Sequence, residues 1–94
     1  MKYPHPKTYG RNIWKTKEGV KLQWSHMEED HLINSYHMLR RRADELYTKA
    51  AAFRVTGDAG WANVLLKVRD KTTATADDMK RYIEWRVTQQ ESEE

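Results

Sequence analysis

One ladder of apolar side chains constrains the fold of this chain more than any other feature. Leucine, alanine and aromatic residues alternate at steps of four and three, at Leu32, Tyr36, Leu39, Ala43, Leu46, Ala50 and Phe53. Only an α-helix places such positions on one stripe, because side chains three or four residues apart share a helical face. The ladder therefore predicts one long helix over residues 26–54, roughly 40 Å in length at about 1.5 Å per residue.

The sequence around this helix also contains signals for its two ends. Ser25 and Glu28 have the spacing of a capping box, in which each side chain bonds the backbone amide of the other residue. Acidic residues near the start and Arg54 near the end complement the helix dipole. We therefore expect the helix to begin near His26 and to stop by Gly57.

Residues 13–24 are expected to form a β-hairpin. The segments 13–16 and 20–24 are rich in strand-forming residues, and Gly19 in the turn between them can adopt a positive φ. An isolated hairpin is marginally stable in water, so this one must pack on the helices. Residues 1–12 contain two prolines and a glycine without any period, and we interpret them as an extended arm.

Two shorter helices are expected after the connector, over residues 59–70 and 76–89. Their apolar stripes are Trp61, Val64, Leu65 and Val68 in the first and Met79, Tyr82, Ile83 and Val87 in the second. A threonine-rich stretch, 71–76, separates them. The fold class predicted is mainly α, a single domain in which a short N-terminal hairpin precedes one long helix and two shorter antiparallel helices.

Composition excludes several classes of function. The 94 residues include no cysteine, which excludes disulfides, cysteine-ligated zinc and a thiol nucleophile. No stretch approaches the ~20 apolar residues of a membrane span, and residues 1–10 lack the apolar core of a secretory signal. We therefore expect no membrane partner. The core is thin for a chain of this length, so a homodimer or a higher oligomer is a further possibility.

Charge is unevenly distributed along the chain. The net formal charge is +3, but the first 24 residues hold six lysines and arginines against Glu18 alone. A basic surface of this kind can attract phosphate groups. The alternative interpretation is that these lysines only solvate a small protein.

Three consecutive arginines, Arg40, Arg41 and Arg42, lie in the middle of the predicted long helix. Guanidinium groups suit phosphate or carboxylate, so the triplet is a candidate anion site. Intrahelical pairing with Asp44 and Glu45, each four residues further on, is the alternative.

A second set of candidate residues lies in the C-terminal half. Lys67 and Arg69 add positive charge near the end of the second predicted helix. Trp85 lies off the apolar stripe of the third, which makes it the best candidate for a stacking or interface residue. We therefore predict that Arg40, Arg41, Arg42, Lys67, Arg69 and Trp85 bind an anionic ligand, a nucleotide or a nucleic acid.

The histidines do not favour a metal site. His26, His31 and His37 are five and six residues apart, whereas chelation on a helix requires spacings of three or four. No Gly-rich phosphate loop is present either, and no cofactor is expected. A small hydrolase using His31 with Asp30 or Glu28 remains an alternative, because a His–carboxylate pair can transfer protons.

One stretch of about 30 residues resembles small uncharacterised proteins encoded by bacteriophages. The resemblance rests on Trp14-x-Thr16-Lys17-x-Gly19, Met27-x-x-x-His31-Leu32-x-Asn34 and Met38-Leu39-x-Arg41-Arg42. Glu18 departs from it, since aspartate is expected there. The resemblance implies a phage accessory protein that acts in the cytoplasm of an infected bacterial host.

The function predicted from these observations is non-enzymatic. It is a phage accessory protein that serves host takeover or immune evasion by binding an anionic ligand, either a nucleotide signal or a nucleic acid. The main alternative is a protein-binding inhibitor of a host defence complex, similar to an anti-CRISPR protein. There Trp14 or Trp85 would be the hot spot.

Overall fold

The structure, a computed structural model, describes residues 5–92, with side chains through Gln89. The chain is mainly helical, as predicted, with a short two-stranded hairpin near its start. The elements follow one another as a 3₁₀-helix Pro6–Arg11, strands β1 (Ile13–Lys15) and β2 (Lys21–Gln23), a 3₁₀-helix Trp24–His26, and helices α1 (Glu29–Val55) and α2 (Ala59–Ser92).

The β-hairpin is confirmed, with shorter strands than expected. β1 and β2 pair antiparallel, and Trp14 lies opposite Leu22. Gly19 has a φ of 85°, the left-handed conformation that only glycine adopts at little cost. The amide of Thr16 donates to the Val20 carbonyl at 2.8 Å and closes the turn.

The prediction of an extended arm over residues 1–12 is wrong for the described residues, because a 3₁₀-helix forms there. Residues 1–4 of the predicted arm lie outside the described residues. Pro6 opens a 3₁₀-helix, because its fixed φ suits a first helical position and its missing N–H is not needed there. The His5 side chain caps this helix by accepting a hydrogen bond from the Lys7 amide at 3.1 Å. Tyr9 and Gly10 are buried, so the segment packs on the body of the protein.

Helix α1 begins three residues later than predicted. Residues 24–26 form a separate 3₁₀-turn, and Met27 has the extended angles φ −82° and ψ 143°. A helix cannot pass through an extended residue, so the capping box of Ser25 and Glu28 does not form and α1 starts at Glu29. The other end is as predicted: Gly57, at a φ of 88°, and Asp58 donate to the Arg54 and Phe53 carbonyls, and α1 stops there.

The two shorter helices are a single continuous helix, α2, so the break predicted at residues 71–76 is wrong. The physical reason lies in the threonines themselves. The hydroxyls of Thr72 and Thr75 donate to the carbonyls of Val68 and Lys71, four residues earlier, at 2.9 and 3.1 Å. These bonds satisfy the hydroxyls within the helix, and the intrinsic penalty for threonine is only a fraction of a kcal/mol, about 0.5.

The chain divides into two compact units, which we describe separately. The hairpin unit comprises the described residues up to Ser35 together with those from Asp78 onward, and the helical unit is Tyr36–Asp77. The large side chains buried in the hairpin unit are aromatic, sulfur-containing or aliphatic: Tyr9, Trp24, Met27, Leu32, Met79 and Tyr82. This burial confirms Met79 and Tyr82 as members of an inward stripe.

The helical unit buries small residues. Its buried positions are Ala43, Leu46, Ala50, Ala62 and Ala76, which include three members of the predicted ladder. The core stripe predicted at the start of α2 is wrong, because Trp61, Val64 and Val68 are exposed and Leu65 is half-buried. Ala62 is fully buried instead, so the small face of α2, rather than its large apolar face, is the covered one.

Within the described residues, neither long helix has the apolar stretch that crossing a lipid bilayer requires.

Candidate functional site

The hairpin unit contains a groove with a volume of about 570 Å³. This size lies in the range of small-molecule sites, about 300–1,000 Å³. We call it the basic groove. Its lining residues combine aromatic rings, hydroxyls and cations: His5, Lys7, Thr8, Gly10, Arg11, Ser25, Tyr82 and Trp85.

The 3₁₀-helix Pro6–Arg11 forms one wall of the basic groove. It can lie this close to α2 because Gly10 has no side chain. A Cβ at Gly10 would come within 3.2 Å of the Ser25 Cβ and 3.3 Å of the Tyr82 hydroxyl. Gly10 therefore permits the close approach that brings Lys7 and Arg11 to the same groove as the aromatic residues of α2.

Aromatic rings form the other wall. Trp85 lies 5.8 Å from Tyr82 and 6.0 Å from His5 between ring centroids, the second pair at an edge-to-face angle of 79°. Tyr82 in turn contacts the buried Trp24 at 6.2 Å, which anchors this wall in the core. Trp85 is only half-buried, so part of its indole surface remains open to a ligand.

The electrostatics of the basic groove favour an anion. Lys7 and Arg11 are exposed and have no ion pair within the described residues, and no carboxylate among those residues lines the groove. His5 accepts the Lys7 amide through Nδ1, so the proton of the neutral ring is on Nε2 and can be donated to a ligand. A group with phosphate-like oxygens would meet two cations and several hydrogen-bond donors.

Two arginines of α2 in this unit are already engaged. Arg81 pairs with Asp78 at 3.0 Å, one helical turn away. Arg86 donates to the backbone carbonyl of Met27, at the extended residue before α1. These contacts tie α2 to itself and to the start of α1. Lys80 of α2 is exposed and does not line the groove, so Lys7 and Arg11 are the lysine and arginine of its described lining.

Of the six residues predicted to bind a ligand, the structure brings only Trp85 into this groove. Arg40, Arg41, Arg42 and Lys67 are exposed residues of the helical unit, and Arg69 is half-buried there. We see no ion pair between the arginine triplet and Asp44 or Glu45 among the described side chains, so the intrahelical alternative is not observed.

Arg69 differs from the triplet because its guanidinium is engaged. It binds Asp70 at 2.8 Å, and its central carbon lies 5.4 Å from the centroid of the Tyr47 ring. This geometry is a cation–π contact between two residues of the helical unit. The role of Arg40, Arg41, Arg42, Lys67 and Arg69 in ligand binding stays a prediction.

Sequence reasoning missed His5, Lys7 and Arg11 as site residues. The signal was present, since both cations belong to the basic first 24 residues. They were missed because the segment was expected to be extended. Docking of Tyr9 was one possibility, but no local pattern indicated that Lys7 and Arg11 line a groove with Trp85.

His31 is half-buried on α1 and does not line the basic groove. Its imidazole makes no hydrogen bond with Asp30 or Glu28 within the part of the chain that the structure describes, so the hydrolase alternative gains no support. No group of three His, Cys, Asp or Glu residues in that part could hold a metal ion.

Comparison with known protein families, with curated protein sequences and with solved structures gives no match for this chain. The function is therefore argued from the site itself.

Proposed function

We propose that this protein binds a nucleotide, free or at the end of a nucleic-acid strand, in the basic groove. The observation that carries the proposal is the juxtaposition of Lys7 and Arg11, which have no ion pair with any described side chain, with the partly open indole of Trp85. Phosphate oxygens match the cations, and a planar base can stack on the indole.

The biological role we propose follows the resemblance to small phage proteins. A phage accessory protein that sequesters a nucleotide signal, or that covers a nucleic acid, would serve host takeover or immune evasion in the bacterial cytoplasm. Sequestration requires binding without turnover. The cations and aromatic rings of the basic groove are suited to binding a phosphate and a planar base.

For a nucleic acid, we propose the arginine triplet of the helical unit as a separate candidate site. Arg40, Arg41 and Arg42 are exposed guanidinium groups without carboxylate partners among the described residues. They would contact phosphates of a nucleic-acid strand that binds the helical unit. The mononucleotide proposal concerns the basic groove alone.

The proposal is tested by calorimetric titration of the full chain with adenosine monophosphate, a cyclic dinucleotide and a single-stranded oligonucleotide. At low salt we expect binding of at least one of them, which weakens as salt rises because counterions are released. Replacing Lys7 and Arg11 together by glutamine should weaken binding about a hundredfold or more, since each of the two charge-assisted contacts contributes about 1.5–3 kcal/mol.

The matched control replaces Lys15 and Lys21 by glutamine. These exposed lysines belong to the hairpin of the same unit and do not line the groove, so the same charge is removed elsewhere. We expect less than about a twofold effect for a mononucleotide, because these exposed lysines do not line the groove and salt screens exposed charges. Equal losses in both variants, or no binding at low salt, would contradict the proposal.

The arginine triplet is tested with the oligonucleotide. Each phosphate contact on a single strand contributes about 0.7 to the slope of log affinity against log salt, so removing three should lower that slope by about 2. Mononucleotide binding should not change. An unchanged slope would contradict the proposal that the triplet contacts nucleic-acid phosphates.

The protein-binding alternative keeps the same basic surface and uses Trp85 as an anchor. A stoichiometric protein partner that survives nuclease treatment, together with no nucleotide binding by the wild-type chain, would favour it over the nucleotide proposal.

A further inference from the structure

The helical unit contains an apolar groove that the proposed nucleotide site does not use. Its volume is about 630 Å³. It is lined by residues of α1, the connector and α2: Lys49, Ala52, Phe53, Thr56, Trp61 and Leu65. We call it the apolar groove.

The side chains around this groove are unusually exposed. Trp61 is 62% exposed, and it begins the stripe that continues through Val64, Leu65 and Val68 along one face of α2. Single exposed apolar residues are ordinary on a protein surface, but a stripe headed by a tryptophan is typical of an interaction site.

The shape of the apolar groove suits an α-helix. On α1, Lys49 and Phe53 lie one turn apart, and on α2 Trp61 and Leu65 do as well. Each pair spans about 6 Å along its helix. A partner helix would therefore insert two apolar side chains spaced by three or four residues, which is the common mode of helix-in-groove recognition.

Charge decides between the possible occupants. Lys49 is the charged residue of the groove lining, and no carboxylate is part of that lining. A second copy in a twofold contact would bring the same lysine and the same lack of acidic groups. A partner helix with aspartate or glutamate beside its apolar anchors would satisfy Lys49.

We propose that the apolar groove binds an acidic amphipathic helix of a partner protein. Two apolar side chains of that helix contact Phe53, Trp61 and Leu65, and a carboxylate lies against Lys49. The apolar groove shares no lining residue with the basic groove.

The test is a selection from a displayed library of helical peptides, with the full-length chain as bait. All peptides share one helical frame with apolar positions at i and i+4, and the flanking positions vary between glutamate and lysine. We expect glutamate to be enriched. Selected peptides should bind Trp61→Ala about tenfold or more weakly, because exposed aromatic anchors dominate such contacts.

The charge preference supplies a sharper readout than loss of binding. Lys49→Glu should invert the selection toward lysine, which a merely destabilised variant would not do. Ile13→Ala is the matched control for Trp61→Ala, because Ile13 is an exposed apolar residue, at 52%, in the hairpin unit. Circular dichroism verifies that each variant is folded.

Three results would overturn the proposal. One is selection without a preference for glutamate, and another is binding that survives Trp61→Ala. The third is self-association of the wild-type chain in sedimentation that Trp61→Ala abolishes, which would assign the groove to a second copy.

Discussion

The two units of this protein place their tryptophans in opposite environments. In the hairpin unit Trp24 is 1% exposed and contacts Tyr82, whereas in the helical unit Trp61 is 62% exposed. The hairpin unit thus obtains its core from large side chains. The helical unit buries mainly alanines, with Leu46 as its largest buried side chain.

This contrast relates stability to function. A core of large side chains fixes the positions of the residues around it, and such rigidity suits a groove that must hold a cation and a ring at set distances. A unit that buries alanines permits close helix approach but leaves its large apolar side chains at the surface. The first arrangement favours a small ligand, and the second favours a protein partner.

The largest expected effect on stability comes from a direct comparison of the two tryptophans. Trp24→Ala should lower the free energy of unfolding by about 3–5 kcal/mol, because it removes a fully buried indole and leaves a cavity. Trp61→Ala should change it by less than about 0.5 kcal/mol. Denaturant unfolding followed by circular dichroism measures both, and similar losses would show that the units do not differ in this way.

The next test concerns the small residues of the helical unit. Ala62 is fully buried, so Ala62→Leu should cost about 1–3 kcal/mol through overpacking. Ala51→Leu is the control, because Ala51 is an exposed helical position where the larger side chain meets solvent. Thermal unfolding of the two variants compares them. A stabilised Ala62→Leu variant would reveal unfilled space instead of close helix approach.

The sequence predicted the helical character and the hairpin because both depend on local signals. The ladder from Leu32 to Phe53 has a period that only a helix satisfies, and Gly19 supplies the turn. The break predicted in α2 is wrong because threonine is only mildly unfavourable inside a helix. Thr72 and Thr75 satisfy their hydroxyls inside the helix, which composition alone does not reveal.

The candidate site depended on tertiary contacts that no local pattern contains. Trp85 was predicted because it departs from the stripe of its helix, and its role in binding stays a prediction. Lys7 and Arg11 line the same groove because Gly10 packs closely against Ser25 and Tyr82, which no local pattern indicates. Similarly, the period of Trp61, Val64 and Val68 indicated a helix correctly. Periodicity identifies a stripe, but it does not determine whether that stripe or the alanine face is covered.

The smallest expected effect concerns ion pairs, since the described residues of each unit include one such pair. Asp70→Asn removes the partner of Arg69, and Asp78→Asn removes the partner of Arg81. Both pairs are partly exposed, so each variant should lose at most about 0.5–1 kcal/mol, and less at high salt. Urea unfolding at low and high salt measures the losses. A loss of several kcal/mol in Asp78→Asn alone would show that the hairpin unit is stabilised by charge as well as by apolar burial. Equal small losses in both variants would mean that the two units differ in the size of their buried side chains and not in their ion pairs.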